Sequence, residues 1–273
     1  MKWIWERART ILSVNFATMV EYRVELLFWM LATSLPLIMM GLWILAVRRG
    51  EFSMDETEVA RYFLAAFLVR QFSIVWVIYE FEWYVVQGRL SPFLLQPLDP
   101  VWRFLGAHLS EQVARAPFVA LMVVLFIVMY PASLSVSIDQ PDLWWLPSWR
   151  AVLGAIVAIY AAFLTRFALQ YTMAMASFWI EKPTSLENFL YIPYVYLSGI
   201  IAPLDLYPDA VRQIAIWTPF PYVVWFPATV LVEQNTIPFA QGVAVLLGWT
   251  LLFVVLNRFF WRVGLRRYSA MGA

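Results

Sequence analysis

Residues 88–100 read GRLSPFLLQPLDP and separate two long apolar segments of the chain. Pro92, Pro97 and Pro100 each prevent one continuous helix from running through the stretch. It also carries leucines at positions 90, 94, 95 and 98. A loop in water gains nothing from such an apolar patch, so we expect a short helix along the membrane surface, covered by a protein partner rather than by lipid.

The whole chain has the composition of an integral membrane protein. Of its 273 residues, 63% are hydrophobic and 14% are charged, which is too apolar for a soluble core. The net charge of +1 gives no basic excess that would favour nucleic acid as a partner. Cysteine is absent from the sequence, which excludes disulfides, cysteine-ligated metals and thiol nucleophiles.

Several segments are apolar over the ~20 residues that a helix needs to cross the hydrocarbon core. They are residues 25–46, 60–85, 108–130, 150–178, 187–203 and 240–261. We therefore predict an all-α membrane fold with six transmembrane helices in a single domain, residues 1–273. Residues 1–22 are predicted as an amphipathic helix at the interface, because Trp5, Leu12 and Phe16 share one helical face. Alternatively, they extend the first span.

The basic residues predict the orientation of the chain. An even number of spans places both termini on one side, and most Lys and Arg residues outside the spans fall on that side. By the positive-inside rule, both termini and the stretch 88–100 are expected to be cytoplasmic.

A second irregular stretch follows the fifth predicted span. Residues 199–234 are apolar but contain prolines that rule out one straight helix: Pro203, Pro208, Pro219, Pro221 and Pro227. Unpaired backbone cannot face lipid, so we expect short re-entrant helices over residues 204–235, folded against protein in the outer leaflet.

Charged residues inside the predicted spans are candidate functional residues. Arg70 and Arg166 fall near the middle of two spans, where an unpaired charge costs at least ~2.5–3.5 kcal/mol. They either line a pathway that attracts an anionic head group or form structural polar contacts between helices. A second group lies towards the inner ends of the second and third spans and either bridges them or forms a substrate site: Glu80, Glu82, Glu111 and Arg115.

Three passages together resemble the permease subunits of type-2 ABC exporters, in particular their compact six-span bacterial branch. They are MVEYRVELLFWM at 19–30, the stretch 88–100, and LSGIIAPLDLYPDAVRQIAIWTPFPYVVWFPA at 197–228. Each motif is short, and their order and spacing carry the resemblance over nearly the whole chain.

The resemblance implies a half-transporter in a bacterial cytoplasmic membrane. It would pair with a second copy or a related permease and bind two ATPase subunits on its cytoplasmic face. Residues 88–105 would be the coupling helix that contacts the ATPase, through Gly88, Arg89, Leu90, Pro92, Leu94, Leu95, Pro97, Leu98, Asp99 and Arg103. An outer gate would contain Gly199, Pro203, Pro208, Pro219, Phe220 and Pro227.

The same resemblance implies an exporter of an amphipathic or lipid-like substrate, moved outward across the membrane. The chain has no G-x-x-x-x-G-K-[ST] loop, so ATP and Mg²⁺ are expected on the partner ATPase, with no cofactor and no catalysis on this chain.

Three other functions compete with an exporter. An ion-driven secondary transporter commonly shows inverted repeats and helices broken near the midplane, whereas this sequence shows no repeat and its predicted breaks lie at the outer edge. A membrane enzyme would need a catalytic constellation, but His108 is the only histidine. A structural membrane subunit is the third possibility.

Overall fold

The computed structural model describes residues 2–21, 23–50, 55–137, 140–234 and 236–270. Within them, five segments are long and apolar enough to cross a membrane, judged by length and composition. They are Leu27–Arg48, Glu56–Val86, Pro100–Met129, Trp149–Phe178 and Phe239–Tyr268. The predicted all-α class and integral membrane character are therefore confirmed.

The first half of the chain contains seven helices among the described residues. They are α1 (Lys2–Glu21), α2 (Arg23–Ala32), α3 (Leu35–Arg48), α4 (Glu56–Ser73), α5 (Val77–Val86), α6 (Ser91–Leu94) and α7 (Pro100–Met129). A 3-10 turn follows α7, and residues 135–137 then pair antiparallel with residues 140–144. This small hairpin is the exception to helical structure in the described part of the chain.

The second half of the chain contains six helices among the described residues. The helices are α8 (Trp149–Ala174), α9 (Thr184–Leu197), α10 (Asp209–Ala215), α11 (Phe220–Val223), α12 (Trp225–Leu231) and α13 (Phe239–Ala270). 3-10 turns occupy Met175–Phe178 and Leu204–Leu206. One end of the bundle holds the stretch 88–99; α4 and α8 begin at the opposite end.

The predicted interfacial helix, residues 1–22, corresponds to α1, although Met1, Tyr22 and the side chain of Trp5 lie outside the described part. Helix α1 packs along α7, where the Ser110 hydroxyl donates to the Leu12 carbonyl at 3.1 Å. Its position at a membrane interface remains a prediction.

The second predicted span, residues 60–85, is interrupted rather than continuous. Helix α4 ends at Ser73, α5 starts at Val77, and the residues between them leave the helical conformation, with Ile74 at φ −72° and ψ 142°. The expectation that helices break only at the outer edge is therefore wrong, because this break lies inside a span.

The predicted coupling helix, residues 88–105, is shorter in the structure. The Asp99 carboxylate accepts a hydrogen bond from the Val101 N–H at 3.0 Å and caps α7, whose first residue is Pro100. Both residue types favour a helix start. Residues 100–105 consequently belong to the third span, and the separate stretch ends at Asp99.

The fifth predicted span, residues 187–203, corresponds to α9 (Thr184–Leu197), a helix of only 14 residues. Its length is about 21 Å at 1.5 Å per residue, less than the ~30 Å of the hydrocarbon core. The chain then turns inside the bundle, where Tyr62 donates to the Gly199 carbonyl at 2.8 Å and Trp43 Nε1 to the Ile201 carbonyl at 2.7 Å. The described part of the chain thus contains five segments long enough to span, and α9 is too short to be a sixth by itself.

The core forms where small side chains let helices approach. Ala158 and Ala162 of α8 are fully buried against α4 and α12, and Gly154 lies near Val230. Lipid tails are as apolar as leucine, so close packing rather than exclusion of water holds such helices together. A second, aromatic cluster around Phe81, Phe104 and other rings lies nearer the stretch 88–99.

Candidate functional site

The stretch 88–99 is held at its start by a glycine turn. Gly88 has φ +66°, and the Arg89 N–H donates to the Tyr84 carbonyl at 2.8 Å, which closes the end of α5 as a left-handed C-cap. Arg89 lies over the ring of Trp83 at 4.6 Å, measured to the ring centroid.

The far end of the stretch is attached to two other helices. Asp99 caps α7 and also forms an ion pair with Arg258 of α13. Ser91 contacts the Tyr268 hydroxyl at 3.2 Å, and Arg103 lies 4.3 Å from the ring centroid of Phe93. A displacement of the stretch would therefore be transmitted to α5, α7 and α13.

The four leucines do not form one patch. Leu90 is completely buried in the aromatic cluster, whereas Leu95 is 88% exposed and Leu94 is 36% exposed. Leu98 is half-buried, and Pro92 and Pro97 are exposed. The surface available to a partner consequently centres on Leu94 and Leu95, while Leu90 anchors the stretch to the bundle.

The predicted gate residues lie on a chain segment that dips into the bundle and returns. Gly199 packs against Tyr62 and Trp225, and the Trp225 N–H donates to the Ser198 carbonyl at 2.8 Å. Phe220 approaches Tyr194 of α9, with ring centroids 6.3 Å apart. Pro203, Pro219 and Pro227 are buried, and Pro208 is exposed before α10.

Tyr207 fixes the outward turn of this segment. Its hydroxyl donates to the Tyr196 carbonyl at 2.6 Å.

Arg166 lies beside the deepest part of the dipping segment and has partners. Its guanidinium is 3.7 Å from the Glu187 carboxylate and stacks 4.0 Å from the Tyr194 ring centroid. Gln170 also donates to Glu187 at 2.7 Å. An adjoining cavity of about 20 Å³, bordered by Phe220, has room for one water. The sequence analysis did not identify Glu187. It could have been found by looking for an acidic residue, in an apolar segment, that could pair with the isolated Arg166.

Three polar residues of α7 hold the break in the second span together. The Trp76 N–H donates to His108 Nε2 at 2.8 Å, Gln112 Nε2 donates to the Phe72 carbonyl at 2.8 Å, and Arg115 donates to the Gln71 carbonyl at 3.3 Å.

Spacings of four and three residues put these side chains on one face of α7, where they satisfy backbone groups that the break leaves without helical partners. His108 Nδ1 lies 2.8 Å from the Phe104 carbonyl, to which it can only donate, while Nε2 accepts from Trp76. From the sequence, His108 was notable only as the one histidine of the chain.

The four predicted charges near the break do not form one network. Glu111 pairs with Arg115 within α7, while Glu82 accepts from the Thr184 N–H at 3.0 Å, at the start of α9. Glu80 makes no hydrogen bond or ion pair with other described residues. Arg70 is 6% exposed in the last turn of α4, where the helix dipole favours a cation.

Comparison with known proteins identifies the family of the chain. The family model described as ABC-2 family transporter protein matches residues 24–272. No curated protein matched the chain. ABC-2 permeases are the membrane components of ATP-driven transporters. Since the match covers nearly the whole sequence, the chain belongs to the ABC-2 transporter family and is an integral membrane permease.

Proposed function

We propose that the chain is the permease subunit of an ATP-driven exporter. It works as a dimer with a second copy or a related permease, coupled to two separate ATPase subunits that bind ATP and Mg²⁺. Both termini and the stretch 88–99 face the cytoplasm of a bacterium. The substrate is amphipathic or lipid-like and moves outward, and α9 with the dipping segment makes the sixth crossing.

The exposed leucine pair carries the proposal. Leu94 and Leu95 project from a stretch that is fixed at both ends, by Leu90 and by Asp99. A partner that binds the pair can push on α5, α7 and α13 at once. Leucines exposed to water are otherwise unfavourable, which supports a surface that a partner covers.

The dipping segment supports the position of the gate. Residues 199–231 occupy one end of the bundle, and their deepest helix, α11, approaches the Arg166–Glu187 pair. In the proposed cycle the ATPases push the stretch 88–99, the long helices tilt, and the dipping segment moves to open the outer end.

Replacing both leucines, Leu94→Asp with Leu95→Asp, should weaken binding of the ATPase about 30-fold or more, as expected for the loss of an apolar interface hot spot. Binding is measured with the purified complex in detergent, and ATPase activity in vesicles should lose its dependence on the permease. Leu146→Asp is the matched control, because Leu146 is 70% exposed at the opposite end. Equal affinities for the double variant and the control would refute the assignment of this surface.

Orientation can be tested independently because the chain contains no cysteine. A Leu95→Cys variant should react with a membrane-impermeant maleimide in inside-out vesicles and stay unlabelled in intact cells. Trp149→Cys, at a side chain that is 68% exposed at the other end, should show the reverse pattern. Labelling of Leu95→Cys in intact cells would place the stretch outside and end the coupling proposal.

A secondary transporter is the second candidate, favoured by one observation. The break at residues 74–76 lies inside a span, as do the discontinuous helices of ion-driven transporters. Transport into inside-out vesicles, with ATP supplied in the medium and no ion gradient across the membrane, separates the two. Only the exporter continues under these conditions.

A further inference from the structure

A cleft of about 570 Å³ opens between the α1–α2 pair and the α5–α7 pair. We call it the Glu80 cleft; the residues that matter in it are Glu25, Trp29, Trp76, Tyr79, Glu80 and Glu111. It borders the break in the second span, because Trp76 and Tyr79 lie at the start of α5. The coupling stretch, the gate and the Arg166 pair do not contribute to its lining.

Carboxylates outnumber cations among the described side chains that line the cleft. Glu111 is neutralised by Arg115, and the hydrogen bond described for Glu25 comes from the indole N–H of Trp29, at 3.3 Å. Glu80 forms no hydrogen bond or salt bridge with the described residues, and the groups that attract it electrostatically are His108 and Arg103. Arg103, which lines the adjoining pocket, lies against the ring of Phe93. Glu80 and Glu111 fall within candidate spans, where carboxylates are costly unless a cation or water compensates them.

The rest of the lining is aromatic. The Trp29 and Trp76 rings form a corner, with centroids 5.0 Å apart and planes inclined by 55°, and Tyr79 adds a third ring. Aromatic faces attract cations, and quaternary ammonium groups are recognised by such cages. Rings combined with uncompensated carboxylates fit an ammonium group and repel phosphate, sulfate or carboxylate.

We propose that the Glu80 cleft binds the ammonium group of an amphiphile, either an aminolipid of the membrane or a cationic amphiphile in transit. The inference rests on the proposed export function, for which it names the chemical class of the substrate. A ligand in the cleft touches Trp76 and Tyr79 at the N-terminal end of α5, and the C-terminal end of α5 leads directly into the stretch 88–99. Ligand and ATPase would therefore act on the two ends of one short helix.

Binding can be measured on the full chain in nanodiscs made from anionic phosphatidylglycerol, with decyltrimethylammonium as the probe and tryptophan fluorescence as the signal. The Kd of the probe should rise about tenfold in Glu80→Gln, because the variant removes the ionic contact between the carboxylate and the ammonium group. Glu181→Gln makes the same change of net charge at an exposed residue outside the cleft and should leave the Kd within twofold. Decyl sulfate, with the same chain length, should not compete.

A second variant protects the test against misfolding. Trp29→Leu keeps an apolar side chain but removes one ring, and it should also weaken binding of the ammonium probe without changing the oligomeric state on size exclusion. Unchanged Kd values in both Glu80→Gln and Trp29→Leu would overturn the proposal.

Two further arms identify the source of the ammonium group and separate the inference from the export proposal. If adding phosphatidylethanolamine to the nanodiscs raises the apparent Kd of the probe, the cleft takes an aminolipid; if it does not, the cleft takes a diffusing cationic amphiphile. Both results support an ammonium site. The two proposals can fail separately. If Glu80→Gln loses probe binding but the wild-type chain binds no ATPase, the ammonium site is supported and the export function is refuted.

Discussion

Replacing Arg115 by methionine is expected to lower the free energy of unfolding by about 3–5 kcal/mol, because it removes one partner of a buried ion pair. The Arg115 guanidinium is only 2% exposed and is bonded to both the Glu111 carboxylate and the Gln71 carbonyl. Methionine fills a similar volume but donates no hydrogen bond. The variant would leave an uncompensated carboxylate and a free backbone carbonyl inside the span.

The measurement is reversible unfolding of the purified chain in detergent, followed by tryptophan fluorescence. Arg48→Met is the matched control: it breaks the Arg48–Glu56 pair, in which the arginine side chain is 58% exposed, so the loss should be much smaller. Adding Glu111→Gln to Arg115→Met should recover part of the stability, because the unpaired charge is then gone. Similar losses for Arg115→Met and Arg48→Met would show that the break does not depend on this pair.

The break itself illustrates what the sequence could not predict. Residues 72–80 read FSIVWVIYE and contain neither glycine nor proline, so the local pattern predicts an uninterrupted span. The backbone leaves the helix because His108, Gln112 and Arg115, which lie 32 to 44 residues later, supply the missing hydrogen-bond partners. A local pattern carries no information on a partner at that distance.

Most features of the stretch 88–99, in contrast, could be predicted from the sequence. Its position between two spans, the glycine at its start and the prolines within it were readable, because each acts on its own backbone. The burial of Leu90 and the exposure of Leu95 could not be predicted, since both are leucines in the same short stretch. Burial of Leu90 depends on Phe81 and Phe104, which lie on two separate helices.

The paired charges lie between these cases. The cost of an isolated Arg166 in a span was predictable and required a partner. The identity of that partner depended on how α9 packs against α8, and Glu187 stands 21 positions later, beyond any helical spacing.

Replacing Gly199 by alanine should destabilise the fold by about 2–5 kcal/mol, the sum of ~1–2 for a left-handed residue and ~1–3 for overpacking. Gly199 has φ +92°, and a Cβ there would lie 2.4 Å from the Tyr62 hydroxyl oxygen and 2.7 Å from Trp225 Cβ. Neither neighbour can easily move. Tyr62 is fully buried, and the Trp225 indole N–H is bonded to Asp205 at 3.1 Å.

Gly88→Ala is the matched control that isolates the steric part of this effect. Gly88 also has a positive φ, +66°, but a Cβ there would meet no atom within 4 Å, so only the left-handed cost of about 1–2 kcal/mol applies. Unfolding of both variants in detergent should therefore show a clearly larger loss for Gly199→Ala. Equal losses would mean that the turn at Gly199 tolerates a side chain. The dipping segment would then not depend on close contact with Tyr62 and Trp225, and a gate built on that contact would have to be abandoned.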